Sequence, residues 1–442
     1  MVATLPFVEI GDKDFIDFGD VIFWRGSSYK EFLPAESHQL FIKYVEHHGT
    51  FIAFEAGTNN KFITKKQLPQ NITCISVSKR YFALLSEAKL KDFVYDAIYL
   101  LYFFSNFHKF RLHSSECLNP FLKIFPAGKS YLDSENAWSL QFNFESQTED
   151  PVKITVPPYS EELFQAGGKL LARKYFSENP KFSARAINSV RFFSNGFFDK
   201  FRQPRKYYFS NPEDTAALAA CFESLFDLHQ DDEDKSGTVA KFKNRLIRLF
   251  SLEDDEIPRA ILTSWANGFY NLRSRIIHGD ESFNFSFRDN PNFEISHIQL
   301  AINIFLVSIY YELIGFGFIE PRLSGDSWLK KDFLVYFWPQ KELLVSILSC
   351  LKKLANADYQ KISFEIEKLY QLIDWYCDIY GEVDSFRPGV KFIETPKKDL
   401  DLIIPQIEKL LNNTISISNK TIPIKEIYPS RANQFILVLR SY

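Results

Sequence analysis

At 442 residues the chain is longer than one ordinary hydrophobic core organises, so roughly two or three domains are expected. Apolar residues at 46% and charged residues at 24% exclude a disordered chain, and a formal net charge of −3 excludes a globally basic, polyanion-attracting surface. Five cysteines without a Cys-x-x-Cys pair suit reduced thiols, and with no signal-peptide pattern the expected location is the cytoplasm.

Residues 1–156 read as a mixed, strand-rich N-terminal domain. Short β-rich runs recur at 20–24, 50–54 and 71–77, and 138–144 alternates apolar and polar residues as a half-buried strand does. The apolar run 93–107 is long enough for a helix. Val156-Pro157-Pro158 makes a natural break. From 157 to 322 helical periodicity takes over, and an all-α bundle is expected. Its helices cover 183–202, a segment opened by Asp214 as N-cap, one capped by Thr238, 260–277 with Gly279 as stop, and 296–313. The most apolar stretch, 300–319, is interrupted by Asn303 and Glu312 and reads as a buried bundle helix; no membrane is expected as a partner. Residues 323–442 read as a mainly helical region, with helices at 340–354, 359–380 and 399–411 and a closing strand at 434–439. The fold class expected is therefore α+β and multidomain.

The segment Tyr270-Asn271-Leu272-Arg273-Ser274-Arg275-Ile276-Ile277-His278-Gly279 combines groups suited to phosphate chemistry. Imidazole ionises nearest neutrality, so His278 can pass protons to and from a ribose hydroxyl or a leaving oxygen. Guanidinium is permanently charged and forked, so Arg273 can hold a phosphate and offset charge in its transition state. At ~100° per residue, positions 273 and 278 lie ~140° apart on an ideal helix, so one straight helix does not aim both at one atom. Either Gly279 releases His278 from helical geometry, or a two-fold dimer brings two such motifs into one cleft. Arg275 is nearer the face of His278 and is a second phosphate contact. The competing reading is structural: the basic pair caps helix carbonyls and satisfies a carboxylate such as Glu223.

The motif resembles the signature of the HEPN superfamily, in its Apea-like branch: an aromatic residue, here Tyr270, then Arg273-Ser274, two apolar positions, and His278-Gly279. Phe222-Glu223-Ser224-Leu225-Phe226 is similar to the family's acidic residue on an earlier helix. The resemblance covers about 165–320. It implies a central all-α HEPN bundle, a homodimer, and metal-independent cleavage of RNA by attack of the 2′-hydroxyl on the adjacent phosphate, with no cofactor and no metal. Arg273 and His278 would be catalytic, and Ser274, Arg275, Glu223 and Tyr270 supporting. Many active members carry Asn, Asp or His directly after the Arg; Ser274 stands here, and a hydroxyl supplies neither an amide nor a charge. The resemblance also implies a toxin or antiviral defence effector. A third reading makes the flanking regions sensors of a phage or cellular trigger protein. The alternative is a non-catalytic HEPN module that binds RNA or a nucleotide, or that serves as a dimerisation scaffold.

Two charge blocks flank the motif in sequence. Residues 169–206 hold ten basic residues against Glu178 and Asp199, interleaved with phenylalanines. Lys200, Arg202, Arg205 and Lys206 are the RNA-binding candidates there. Residues 213–234 hold eight acidic residues and no Lys or Arg, as a solvated loop or a docking site for a basic partner would. Gly167-Gly168-Lys169 lacks the spacing of a phosphate-binding loop. His113, Glu116 and Cys117 have metal-ligand types without a second ligand pair.

Overall fold

The computed structural model describes residues 3–6, 8–11, 13–47, 50–54, 62–66, 72–111, 124–129, 138–142, 152–154, 161–197, 212–228, 237–250, 256–279, 284–287, 293–320, 340–355, 362–380, 391–392, 395–417 and 420–440. The protein is mostly helical with a small sheet near its N-terminus, an α+β composition. It divides into two compact units, Met1–Lys235 with Ser308–Glu320, and Ser236–Val307 with Pro321–Tyr442. Of the residues expected to form one bundle, 157–322, 157–235 and 308–320 group with the first unit, and 236–307 and 321–322 with the second.

The first unit holds strands β1 (Ala3–Pro6), β2 (Val8–Ile10), β3 (Phe15–Asp17), β4 (Val21–Arg25), β5 (Thr50–Phe54), β6 (Phe62–Lys66), β7 (Ile72–Val77), β8 (Ile124–Lys129), β9 (Trp138–Phe142) and β10 (Val152–Ile154). Six of them form a sheet in the order β3-β4-β7-β1-β9-β8. Its pairings are antiparallel except β1 with β9, where Ala3 faces Trp138. The β-rich runs expected at 20–24, 50–54 and 71–77 correspond to β4, β5 and β7. In β7, Ile72, Cys74 and Ile75 are all buried, as suits a strand covered on both faces.

Short helices α1 (Tyr29–Phe32), α2 (His38–His47) and α3 (Lys79–Leu84) flank this sheet in sequence, followed by the long α4 (Glu87–Arg111). The run 93–107 lies wholly within α4. From Phe93 to Phe107 the apolar residues Val94, Ile98, Leu101, Phe103 and Phe104 are all buried. A helix apolar on every side belongs inside a core. Around α4 pack α5 (Glu161–Phe176) and α6 (Lys181–Phe197), and α6 pairs with α7 (Pro212–Phe226). Gly167-Gly168 sits inside α5. A Cβ on Gly168 would lie 1.6 Å from the Phe18 carbonyl oxygen, so the helix approaches the chain after β3 where a side chain has no room. Asp214 does not cap α7: the helix starts at Pro212, and Asp214 is buried in its first turn. Proline, with fixed φ and no N–H to satisfy, suits the first helical position, and the carboxylates of Glu213 and Asp214 then meet the positive end of the helix dipole.

The second unit holds α8 (Thr238–Leu249), α9 (Glu256–His278), strands β11 (Ser286–Phe287) and β12 (Phe293–Ser296), and α10 (His297–Gly315) up to Val307. It continues with α11 (Gln340–Ala355), α12 (Ile362–Tyr380), β13 (Lys391–Phe392), α13 (Lys397–Leu411), the hairpin β14 (Thr414–Ile417) and β15 (Lys420–Pro423), and α14 (Pro429–Arg440). Thr238 is the first residue of α8; the cap position belongs to Gly237, with no side-chain bond. Ser296 does cap α10, its Oγ accepting from the Gln299 N–H at 3.0 Å. By length and composition α10 could cross a membrane, yet 83% of its most apolar window is buried within the protein. Asn303 and Glu312 are buried with it.

The expected C-terminal strand at 434–439 is instead part of helix α14. Alternation would put Phe435, Leu437 and Leu439 on one side, yet Phe435 and Leu439 are buried and Leu437 is 69% exposed. Burial follows Ala432, Phe435 and Leu439, the spacing of one helical face.

Candidate functional site

The motif lies on the second half of α9. The helix is anchored through Leu262, Trp265, Ala266, Phe269 and Leu272, all buried. Phe242 of α8 meets the ring of Trp265 at 6.0 Å and that of Tyr270 at 5.0 Å, while Trp265 and Phe269 stack at 5.3 Å. Tyr270, expected as a supporting residue, is thus a packing residue whose ring joins α9 to α8. At Gly268 an added Cβ would lie 2.6 Å from Cε1 of His297, so the first residue of α10 closes directly onto α9.

Arg273 is half-buried at the edge of this packed face, whereas Ser274, Arg275 and His278 are exposed. The helix runs through His278 and ends at Gly279, whose φ of 76° is left-handed and whose N–H donates to the Ile276 carbonyl at 3.2 Å. Glycine at this C-terminal position takes the left-handed turn without a Cβ penalty. The expectation that Gly279 frees His278 from helical geometry is therefore corrected: the break comes one residue later. Arg273 and His278 remain ~140° apart around the axis and ~7.5 Å apart along it. Arg275 and His278 are ~60° apart and share the solvent side.

Between Ala260 and Gly279 the helix carries no Asp, Glu or Lys, and its charged residues are Arg273 and Arg275. Arg275 and His278 in the last turn also face the negative end of the helix dipole. The arrangement offers an accessible proton carrier, a hydroxyl and an accessible guanidinium on one side, and a second guanidinium partly withdrawn into the packing.

Glu223 sits half-buried on α7, in the first unit, whereas the motif belongs to the second. Its helix end is tied to α6 by Ser224 Oγ donating to the Arg185 carbonyl at 3.0 Å and by the Arg185–Asp227 ion pair. Lys200, Arg202, Arg205 and Lys206, the acidic run 229–234, and His113, Glu116 and Cys117 lie outside the described residues.

Sequence reasoning gave no role to two exposed asparagines on this helix. Asn267 and Asn271 stand eleven and seven residues before His278, on the same face as Ser274. Helical spacing, projected back over three turns from His278, identifies them. Compared with known protein families, with curated proteins and with solved structures, the chain finds no match.

Proposed function

We propose that the protein is a metal-independent endoribonuclease of HEPN type that works as a homodimer, with Arg273 and His278 at its reacting centre. The supporting observation is the end of α9, where an exposed imidazole and an exposed guanidinium share the solvent side of a helix that carries no acidic residue between Ala260 and Gly279. In the proposed reaction a ribose 2′-hydroxyl gives up its proton and its oxygen bonds to the adjacent phosphorus. The bond from phosphorus to the 5′-oxygen breaks, and that oxygen takes a proton. The products are a 2′,3′-cyclic phosphate and a 5′-hydroxyl. His278 moves protons in this scheme, and Arg273 offsets charge on the phosphoryl oxygens. Arg273 and His278 point to different sides of one continuous helix, so a single copy does not bring them to one phosphate. A two-fold pairing of α9 ends supplies both groups from two chains. Toxin or antiviral activity, and a phage or cellular trigger, belong to the same reading.

The test is cleavage of total RNA by the purified chain. Activity is expected to persist in EDTA, to leave 2′,3′-cyclic phosphate ends, and to fall ~10²–10⁴-fold in His278→Ala and by a comparable factor in Arg273→Ala. Arg275→Ala should chiefly weaken RNA binding and make it less salt-dependent. Variants as active as the parent, or cleavage that needs a divalent ion, would overturn the mechanism. Ser274 in place of a stronger polar group favours the second reading, a non-catalytic RNA-binding or dimerisation module. That reading leads if RNA is bound and no preparation cleaves it.

A further inference from the structure

The exposed face of α9 extends beyond the motif. Asn267, Asn271, Ser274 and His278 occupy positions i, i+4, i+7 and i+11, within ~60° of one another around the helix. All four are exposed, and among the described residues no hydrogen bond engages their side chains. The stripe is ~16 Å long at 1.5 Å per residue. Arg275 flanks it on one side, and Ile277, 54% exposed, on the other.

The solvent side of an amphipathic helix ordinarily carries charged residues, often in pairs of opposite sign. This stretch instead presents two amides, a hydroxyl and an imidazole, with one arginine beside them and no Asp or Glu on the helix between Ala260 and Gly279. Amides do not neutralise phosphate. Each offers two N–H donors and a carbonyl acceptor, which match the adjacent donor and acceptor on an adenine edge. Such edges are reachable in RNA when the strand is unpaired. At ~3.4 Å per stacked nucleotide, the stripe spans roughly five nucleotides.

The geometry points to Asn267 and Asn271 as specificity-determining residues that read base edges of single-stranded RNA, adenine above all, within about five nucleotides of the phosphate held at His278. The inference rests on the ribonuclease reading for the position of that phosphate. Base preference can nevertheless be read from binding alone.

The experiment measures binding of the full chain to fluorescent single-stranded RNA oligonucleotides, adenine-rich or cytosine-rich, in the His278→Ala background so that no substrate is consumed. Cleavage of the same oligonucleotides by the parent chain runs alongside. The adenine-rich strand is expected to bind roughly 10–100-fold more tightly, a ratio that collapses towards one in Asn267→Ala/Asn271→Ala. The steepness of the salt dependence should not change, because no phosphate contact is lost. Alanine is the best helix former, so the double variant keeps the helix. Equal binding of both oligonucleotides, or a preference that survives in the double variant, overturns the proposal while leaving cleavage by the parent to stand or fall separately. If the double variant instead becomes monomeric in light scattering with its base preference intact, the stripe is a contact between copies and the proposal fails. Adenine-selective binding without cleavage keeps the recognition stripe and removes the ribonuclease.

Discussion

Asp96 shows how much one residue can hold. It lies on α4 with no exposure, and three groups converge on its carboxylate: Lys174 Nζ at 2.7 Å, the Tyr175 hydroxyl donating at 2.7 Å, and Arg191 at 2.5 Å. The Arg191 guanidinium also lies over the ring of Tyr99 at 5.8 Å. Burial, and then the Asp96 charge, push the Tyr175 phenol far above its ordinary range. Breaking a buried ion network from one side strands the opposite charge. Asp96→Ala, which leaves two cations facing each other between α4, α5 and α6, is therefore expected to cost about 3–5 kcal/mol in urea unfolding. Arg191→Met should cost less, because Lys174 and Tyr175 still hold the carboxylate. The thiols form a second residue-scale case. Cys74, Cys221, Cys350 and Cys377 are buried thiols outside any disulfide, and burial raises the first three above the ordinary thiol range. Only the thiolate reacts readily. Peptide mapping after alkylation should find these four unlabelled in the native protein and fully labelled in denaturant; rapid native labelling of any of them would contradict their burial.

At the scale of elements, two glycines that both end or pack helices differ in what they protect. Gly168 stands inside α5, where glycine ordinarily costs ~0.5–1 kcal/mol relative to alanine. Here the sign reverses, because the missing Cβ is where the Phe18 carbonyl lies. Gly168→Ala should destabilise by at least the ~1–3 kcal/mol typical of overpacking, since the obstacle is backbone rather than a flexible side-chain tip. Gly279 has open space around its Cβ position but a φ of 76°. Gly279→Ala should cost only ~1–2 kcal/mol, the left-handed penalty of an L-residue. Thermal unfolding of the two variants in parallel checks the order. Helix α14 has its own test: Leu437→Asp should be tolerated and Phe435→Asp should not, whereas a strand carrying both on one face would suffer alike from either.

Across the whole molecule, buried phenols link stability to pH. In the second unit the Tyr370 hydroxyl donates to the Ile424 carbonyl at 2.8 Å, beside the Tyr428 ring at 4.4 Å. Burial pushes its pKa from 10.0 up to about 12. In the first unit burial likewise raises Tyr95, Tyr102 and Tyr175. A phenol that must stay neutral in the native state favours folding fully below its unfolded pKa. That contribution fades as pH rises through the unfolded value towards the folded one. Stability should therefore fall above pH ~10. Tyr370→Phe should flatten the part of the decline between pH 10 and about 12. Urea unfolding of both proteins across this range reads the difference; identical slopes would mean that Tyr370 ionises as freely folded as unfolded.

What the sequence determined by itself is what a few neighbouring residues decide. The helices expected at 260–277, 340–354 and 399–411, observed at 256–278, 340–355 and 397–411, were legible because breakers and 3.6-residue periodicity act within one or two turns, and Gly279 marks the end of α9 by its own lack of a Cβ. The candidate chemistry was legible for the same reason, since Arg273, Ser274, Arg275 and His278 are local. Tertiary structure decided the rest. Residues 434–439 carry enough β-branched and apolar side chains for a strand, and only burial of Ala432, Phe435 and Leu439 on one face makes them a helix. The contact of Gly168 with Phe18, the three partners of Asp96 and the division after Lys235 all join residues far apart in sequence. Helical spacing aligns Asn267 and Asn271 with His278, but that this side of α9 faces water was decided by the packing of its other side. Local patterns fix dihedral angles, but which faces lose water depends on what packs against them, and no short stretch of chain contains its own packing partners.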